Sequence, residues 1–294
     1  MADHFAAFSF VDRIDELVPA RRARGRFAIP AHVAAFPSCL LAEAVGQLAA
    51  WVSMAHIDFR GRPVAALASE TRFLRGARPG DTLTLEVEVE SCDDEAVAYR
   101  GSASIGGERA IELVDCLGPM LPLSDFDDPQ AMRAWLARLT GEGGTPGRFR
   151  GVDLAAPVAL PAPGPNVAEA LLAVPSQAAF FNDHFPRRAV FPATLMLDAQ
   201  IGVALDLARA SGHWPMGAAL APLRMTHVKV RAFTEPGSTL RLCAEMRPAD
   251  GAEATFMLTA RAGERTVATA RVMIGDPDAG ARRADAPAEA GART

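Results

Sequence analysis

Four side chains in this sequence combine types and spacings that could move protons. His184 lies in a Pro-flanked loop, and Asp198 follows it by fourteen residues. Glu43 and Gln47 lie four residues apart in a long apolar segment, so a helix there would place them on one face. Histidine titrates near neutral pH, and burial on an apolar helix face raises the pKa of a carboxyl group. His184, Glu43 and Asp198 are therefore the candidates for acid–base chemistry, and Gln47 is a candidate to orient Glu43.

Each of the two acids lies on a predicted long helix that begins with a proline. Apolar residues at helical spacing follow Pro37 and Pro192, and strands with period-two alternation and Pro-Gly turns follow each helix. The two prolines are 155 residues apart, and the same interval separates Glu43 from Asp198. A repeat of this length predicts two similar domains that form a pseudo-dimer within one chain.

Composition shifts divide the chain into four segments. We expect an N-terminal domain over 1–123 and a C-terminal domain over 166–276. Between them, 124–165 contains a short helical stretch and Gly/Pro-rich runs, which predict a connector. The tail 277–294 has no apolar periodicity and is predicted to be disordered.

Charge and cysteine usage narrow the class of protein. A formal charge of -5 argues against a nucleic-acid partner, and the four cysteines have neither CxxC spacing nor clustered histidines, so no metal site is expected. The N-terminus lacks a signal-peptide pattern. The apolar stretch 37–54 has about the length of a membrane span but contains Glu43 and Gln47. We expect a soluble cytoplasmic protein with no membrane partner.

Several motifs in the two halves resemble one known family. The second half contains FFNDHFPRRAVFPATLMLD, and the first half contains VDRIDELVPARRARGRF, FPSCLLAEAVGQ and GARPGDTLTLEVEVE. In order and spacing these resemble the beta-hydroxyacyl-[acyl carrier protein] dehydratases of fatty-acid and polyketide synthesis, present twice in tandem. The resemblance implies an α+β double hot-dog fold, in which two antiparallel sheets are each wrapped around a long central helix.

In the resembled family the active site lies between two hot-dog units, with the histidine from one and the acid from the other. Carried over to this chain, His184 would face Glu43. Asp198 would face position 29, which is Ile29, so the second site would be degenerate. A pairing of His184 with Asp198 within one half is the less favoured alternative.

The resemblance also implies the chemistry, which is removal of water from a 3-hydroxyacyl thioester. His184 would take the C2 proton and Glu43 would protonate the departing hydroxyl, while Gln47 orients Glu43 or a water. Backbone N–H groups near Ser38, at a helix N-terminus, would stabilise charge on the thioester oxygen. No metal or cofactor is expected, because the substrate arrives on the phosphopantetheine of an acyl carrier protein or of coenzyme A.

The residues around the HFP motif are the expected substrate-binding positions. The candidates are Phe185, Arg187, Arg188 and Phe191. The two arginines either contact the phosphate of the phosphopantetheine arm or form a solvated surface pair.

Other functions and assemblies stay open at this point. Isomerisation of the enoyl product is a variant of the reaction, a hot-dog acyl thioesterase is an alternative enzyme, and a non-catalytic module that binds acyl chains or a carrier protein is a third. A monomer would suffice for one site, and further association into a homodimer is an open alternative.

Overall fold

The computed structural model describes residues 5–248 and 251–277. All but the first residue of the tail 277–294, predicted to be disordered, lies outside the described residues.

Among its described residues, the first half contains seven strands and one long helix. They are β1 (Arg13–Val18), β2 (Arg22–Ala28), α1 (Ser38–His56), β3 (Gly61–Pro63), β4 (Leu67–Phe73), β5 (Thr82–Cys92), β6 (Ala96–Ile105) and β7 (Glu108–Pro122). The alternation of buried and exposed residues along β5 shows the period expected of a strand with one face on the core.

The second half begins after a short helix, α2 (Pro129–Thr140), whose N-terminus is capped by the Asp128 side chain. Over its described residues it repeats the order of the first half without a counterpart of β3. Its remaining elements are β8 (Val158–Ala159), β9 (Val167–Ala173), α3 (Ala193–Ala210), β10 (Ala221–Val230), β11 (Thr239–Met246), β12 (Glu253–Ala262) and β13 (Arg265–Gly275). The two long helices begin directly after Pro37 and Pro192, as the sequence pattern predicts.

The two antiparallel sheets, one from each half, join edge to edge into one continuous sheet. Over the described residues, thirteen strands pair antiparallel in the order β1-β2-β5-β6-β7-β4-β10-β13-β12-β11-β9-β8, with β3 on β7. The halves join where β4 pairs with β10, which places Thr71 opposite Met225. An edge strand leaves a row of N–H and C=O groups unpaired, and the pairing of two equivalent edges satisfies both rows.

Helix α1 packs on the strands of the first half, α3 packs on those of the second, and the two helices contact each other. Gly101 on β6 lets α1 approach closely, since a Cβ there would lie 2.5 Å from Val45 Cγ1. By length and composition α1 could cross a membrane, but more than half of it is buried in the protein, as in a core helix. The two central helices thus bring the candidate acids to the middle of the molecule.

The segment 124–165, predicted as a connector, is packed onto the first half. Helix α2 contacts β1, and the buried ring of Phe149 meets the rings of Phe10 and Phe36 at 5.1 and 6.0 Å. Its Gly/Pro-rich composition suggested a linker, but a few large apolar side chains anchor it to the core.

Candidate active site

A largely apolar cavity of about 180 Å³ lies between the two halves. Its walls come from α1, α3, β4, β7 and β10, and most of the lining side chains are Ala, Val, Leu, Met or Phe. The polar and charged side chains that line it are Glu43, Gln47, Arg62, Thr71, Tyr99, His184, Thr194 and Thr234. The cavity therefore combines room for an aliphatic chain with a small set of groups that can move protons.

Glu43 is held by hydrogen bonds from both halves. Gln47 Nε2 donates to Glu43 Oε1 at 3.0 Å, and the Thr194 hydroxyl on α3 donates to Glu43 Oε2 at 2.8 Å. Gln47 is itself fixed, because its Oε1 accepts the Phe10 N–H at 2.8 Å and its Nε2 also donates to the Phe8 carbonyl at 2.9 Å. The Gln47 amide can therefore only donate to Glu43, whereas the Thr194 hydroxyl can rotate.

His184 follows a short 3-10 turn (Ala179–Asn182) and lines the same cavity as Glu43. Its Nδ1 lies 2.8 Å from the Val190 carbonyl oxygen, so Nδ1 carries the proton and donates, and Nε2 has a free lone pair. The ring stacks on Phe185 with centroids 4.1 Å apart.

The surroundings of His184 favour its neutral form. Burial lowers the pKa of His184 below its ordinary value, and the Arg62 cation lowers it further. The negative charge of Glu43 and the hydrogen bond to Val190 raise the pKa, but by less than burial lowers it. A neutral imidazole with a lone pair on Nε2 is the form that can accept a proton.

Arg62 is a charged neighbour that sequence reasoning missed. Its side chain is 13% exposed, pairs with Asp127 at 3.1 Å and lies over the Phe185 ring at 4.1 Å. Burial lowers the pKa of Arg62, while the negative charges of Asp127, Glu43 and Asp183 oppose that shift. Arg62 thus places a cation beside the cavity, from a short strand whose sequence shows no motif.

The helix N-terminus at the cavity belongs to α3 and not to α1, which corrects the prediction for Ser38. Ser38 does not line the cavity, whereas Ala193 and Thr194 do. The first N–H groups of a helix have no carbonyl partner within it, so those of Ala193 and Thr194 are the available donors. The start of α3 lines the cavity because the two halves pack with Glu43 of α1 beside Thr194, in the first turn of α3.

The predicted substrate-binding residues separate into two groups. Phe185 and Phe191 line the cavity. Arg187 and Arg188 do not; the first donates to the Ser124 carbonyl at 3.0 Å, and the guanidinium of the second lies 4.9 Å from the Phe233 ring centre.

The predicted degenerate pair, Ile29 and Asp198, lies outside the cavity. Ile29 is buried in the core of the first half. Burial raises the pKa of Asp198 to about 6. Asp198 is close enough to Cys39 for its charge to contribute to the raised pKa of that thiol. His184 thus shares a cavity with Glu43 and not with Asp198.

Thr194 was a second residue missed from the sequence. Thr194 and Cys39 are 155 residues apart, the interval of the repeat, so they occupy equivalent positions. The two positions have equivalent neighbours: Cys39 lies near the acid of α3, Asp198, and Thr194 donates to the acid of α1, Glu43. The repeat interval makes Thr194 equivalent to Cys39, and only the structure shows that Thr194 contacts Glu43.

A second, smaller space of about 30 Å³ lies behind the catalytic candidates. Gln47, Arg62 and His184 border both spaces, and Asp127 and Asp183 border only the smaller one. Its volume suits about one water molecule. Among the residues that the structure describes, no group of three or more His, Cys, Asp or Glu side chains is placed to hold a metal ion.

Comparisons with known proteins found similar dehydratases. A family model described as ApeI-like, ApeI dehydratase, matches residues 163–271. The 3-hydroxyacyl-[acyl-carrier-protein] dehydratase FabZ of Caldanaerobacter subterraneus subsp. tengcongensis is 33% identical over an alignment of 118 residues, and the match covers 36% of this chain and 84% of that protein.

Solved structures match over most of the chain. A putative oleoyl thioesterase from Lactobacillus plantarum has a TM-score of 0.57 at 10% identity and covers 87% of this chain and 96% of its own. A protein of unknown function with a hot dog fold from Alicyclobacillus acidocaldarius has a TM-score of 0.50 at 11% identity and covers 92% of this chain and 96% of its own. At these identities the likeness shows the fold, and the expected hot-dog fold is confirmed.

Proposed function

Because the chain belongs to the family of 3-hydroxyacyl-[acyl-carrier-protein] dehydratases, we propose that it removes water from a 3-hydroxyacyl thioester at a single composite site between its halves. The observation that carries this proposal is the convergence of Glu43 and His184, from different halves, on one apolar cavity. The hydrogen bonds that orient both groups support it further.

In the proposed reaction His184 Nε2 accepts the C2 proton of the substrate, and the electron pair moves toward the thioester carbonyl. The N–H groups of Ala193 and Thr194 stabilise the negative charge on the carbonyl oxygen. The pair then forms the C2–C3 double bond as the C3–O bond breaks, and Glu43, protonated in the substrate complex, gives its proton to the departing hydroxyl. The products are the 2-enoyl thioester and water, with one proton gained by His184 and one lost by Glu43.

The hydrogen bonds around Glu43 indicate which of its oxygens carries the proton. Oε1 accepts from the fixed amide of Gln47 and has no room for a proton of its own in that direction. Oε2 faces the Thr194 hydroxyl, which can turn and accept. We therefore assign the transferred proton to Oε2.

The substrate class follows from the cavity walls and the family. The apolar walls suit an acyl chain, and the thioester would enter on the phosphopantetheine of an acyl carrier protein or of coenzyme A. Arg188 packs on Phe233, which lines the cavity, and is the better placed of the two surface arginines to contact the phosphate of that arm. A soluble cytoplasmic location stays a prediction.

The proposal is tested with 3-hydroxyacyl and 2-enoyl thioesters of graded length, on both carriers. Wild type should interconvert them, and His184→Ala or Glu43→Gln should each lower turnover by about 100-fold or more, the usual loss for a general acid or base. Glu88→Gln, a matched change at an exposed carboxylate, should leave turnover unchanged. Turnover that survives either substitution at the site would exclude the proposed roles.

The same assay separates the alternatives. Release of free thiol that persists in His184→Ala would indicate a thioesterase, the activity named for the putative enzyme from Lactobacillus plantarum. Binding of acyl thioesters without turnover of any of them would indicate a non-catalytic module. A shift of the double bond in the enoyl product would add isomerisation to dehydration.

A further inference from the structure

We propose that Asp183 is a positioning residue which, through the N-terminal segment (residues 5–10), holds the catalytic histidine and the catalytic acid in register. This inference rests on the proposed function. It concerns a carboxylate that lies outside the main cavity and beside His184 in the chain.

Asp183 is the anchor of the N-terminal segment. Its Oδ1 accepts the Phe5 N–H at 2.6 Å, and its Oδ2 accepts the Phe8 N–H at 2.7 Å and the Ser9 hydroxyl at 3.1 Å. The residue is 7% exposed, and the cost of burying its charge is offset by these donors and by the nearby Arg62 cation. Charge-assisted hydrogen bonds of this kind are about twice as strong as neutral ones.

The segment that Asp183 anchors also fixes the acid. The Phe8 carbonyl accepts from Gln47 Nε2, and the Phe10 N–H donates to Gln47 Oε1. Gln47 in turn donates to Glu43. One short segment therefore connects a loop of the second half to the acid on the helix of the first half.

The same segment contacts the histidine. The Phe8 ring meets the His184 ring edge to face, with centroids 5.7 Å apart. The Asp183 and His184 N–H groups both bond to the Phe180 carbonyl, so a shift of one displaces the other. The counterpart of Asp183 at the repeat interval of 155 is Ala28, so this anchor serves only the working site.

The test is Asp183→Asn, which keeps the shape but gives up the charge and one acceptor. We expect kcat to fall by at least tenfold while KM stays within about threefold, since the groups that touch the acyl chain are unchanged. Ser9→Ala, which removes one of the three bonds, should lower kcat by two- to threefold and keeps the proposal testable if Asp183→Asn fails to fold. Asp93→Asn, at a turn where the carboxylate also accepts two backbone N–H groups, is the matched control.

A coupling measurement distinguishes positioning from a purely structural role. If Asp183 acts on Glu43 through Gln47, the double variant of Asp183→Asn and Gln47→Met should lose no more kcat than the worse single variant. Losses that multiply, or an Asp183→Asn enzyme with unchanged kcat, would overturn the proposal.

Failure of the proposed function is separable from failure of this inference. If wild type turns over no thioester, amide exchange still reports the linkage, because the Phe10 N–H bonds to Gln47 and not to Asp183. Faster exchange at both Phe8 and Phe10 in Asp183→Asn would support the linkage. Faster exchange at Phe8 alone, or at neither amide, would contradict it.

Discussion

At the scale of single residues, the central question is which acid acts with His184. The structure brings Glu43 and His184 to one cavity, and Asp198 lines neither of the two spaces described above. The charge of Glu43 raises the pKa of His184 against the larger effect of burial, whereas Asp198 is not among its causes. The electrostatic link between His184 and Glu43 can therefore be measured without any substrate.

We predict that Glu43→Gln lowers the pKa of His184 further, because it removes the negative charge that favours the imidazolium form. Asp198→Asn should leave that pKa unchanged. NMR titration of the imidazole signals, with six histidines in the sequence, provides the measurement. A pKa that moves in Asp198→Asn and stays constant in Glu43→Gln would make Asp198 the partner.

The candidate site was partly readable from the sequence. The acid and the histidine could be named because an ionisable residue in an apolar helix and an HFP loop are both unusual. In addition, each half lacks a residue that the other half has: the first half has no counterpart of His184, and the second has no counterpart of Gln47. Arg62 could not be named from the sequence, because it lies on a three-residue strand without periodicity and only the tertiary structure brings it to the site. The helix N-terminus was assigned to Ser38 on α1, because sequence alone does not show how the two halves cross.

At the scale of elements, the long helices and most strands were predictable, and their pairing was not. Proline starts and helical spacing predicted α1 and α3, and period-two alternation predicted strands such as β5. The pairing of β4 with β10 depends on which edges meet in three dimensions, which alternation does not encode. The close packing of α1 on β6 is likewise a tertiary feature that depends on one glycine.

We predict that Gly101→Ala destabilises the protein by about 1–3 kcal/mol, the usual cost of forcing extra atoms into a packed core. The added Cβ would lie 2.5 Å from Val45 Cγ1 and 2.8 Å from the Glu86 carbonyl oxygen. Chemical denaturation measures the change, and Gly76→Ala is the control, because a Cβ there meets nothing within 4 Å. Equal stability of the two variants would mean that α1 lies further from β6 than the structure has it.

At the scale of the whole molecule, the internal repeat predicts two equivalent sites, and in our proposal only one of them is complete. The second position has Ile29 where a histidine would stand, and Gly202 where the first half has Gln47. In our proposal Asp198 therefore has no catalytic role, and burying its ionised carboxylate destabilises the folded protein. Its pKa of about 6 expresses that cost.

The burial of the Asp198 carboxylate predicts how the free energy of unfolding depends on pH. At pH 7.5 Asp198 is ionised in both the folded and the unfolded chain, so the burial penalty is fully present. As the pH falls from about 6 to about 4, the folded chain binds a proton that the unfolded chain does not, and the penalty is relieved. We predict that Asp198→Asn raises the free energy of unfolding by about 1–2 kcal/mol at pH 7.5, and that this gain vanishes near pH 4.

Denaturant unfolding at the two pH values measures this gain, and Asp206→Asn, at an exposed carboxylate of the same helix, should change stability little. Turnover of Asp198→Asn should equal that of wild type, because the composite site uses the other acid. A stabilised protein with full turnover would be the signature of a degenerate site kept in the fold by the repeat. A variant that loses turnover would place Asp198 in the working site and reverse the assignment of the acid.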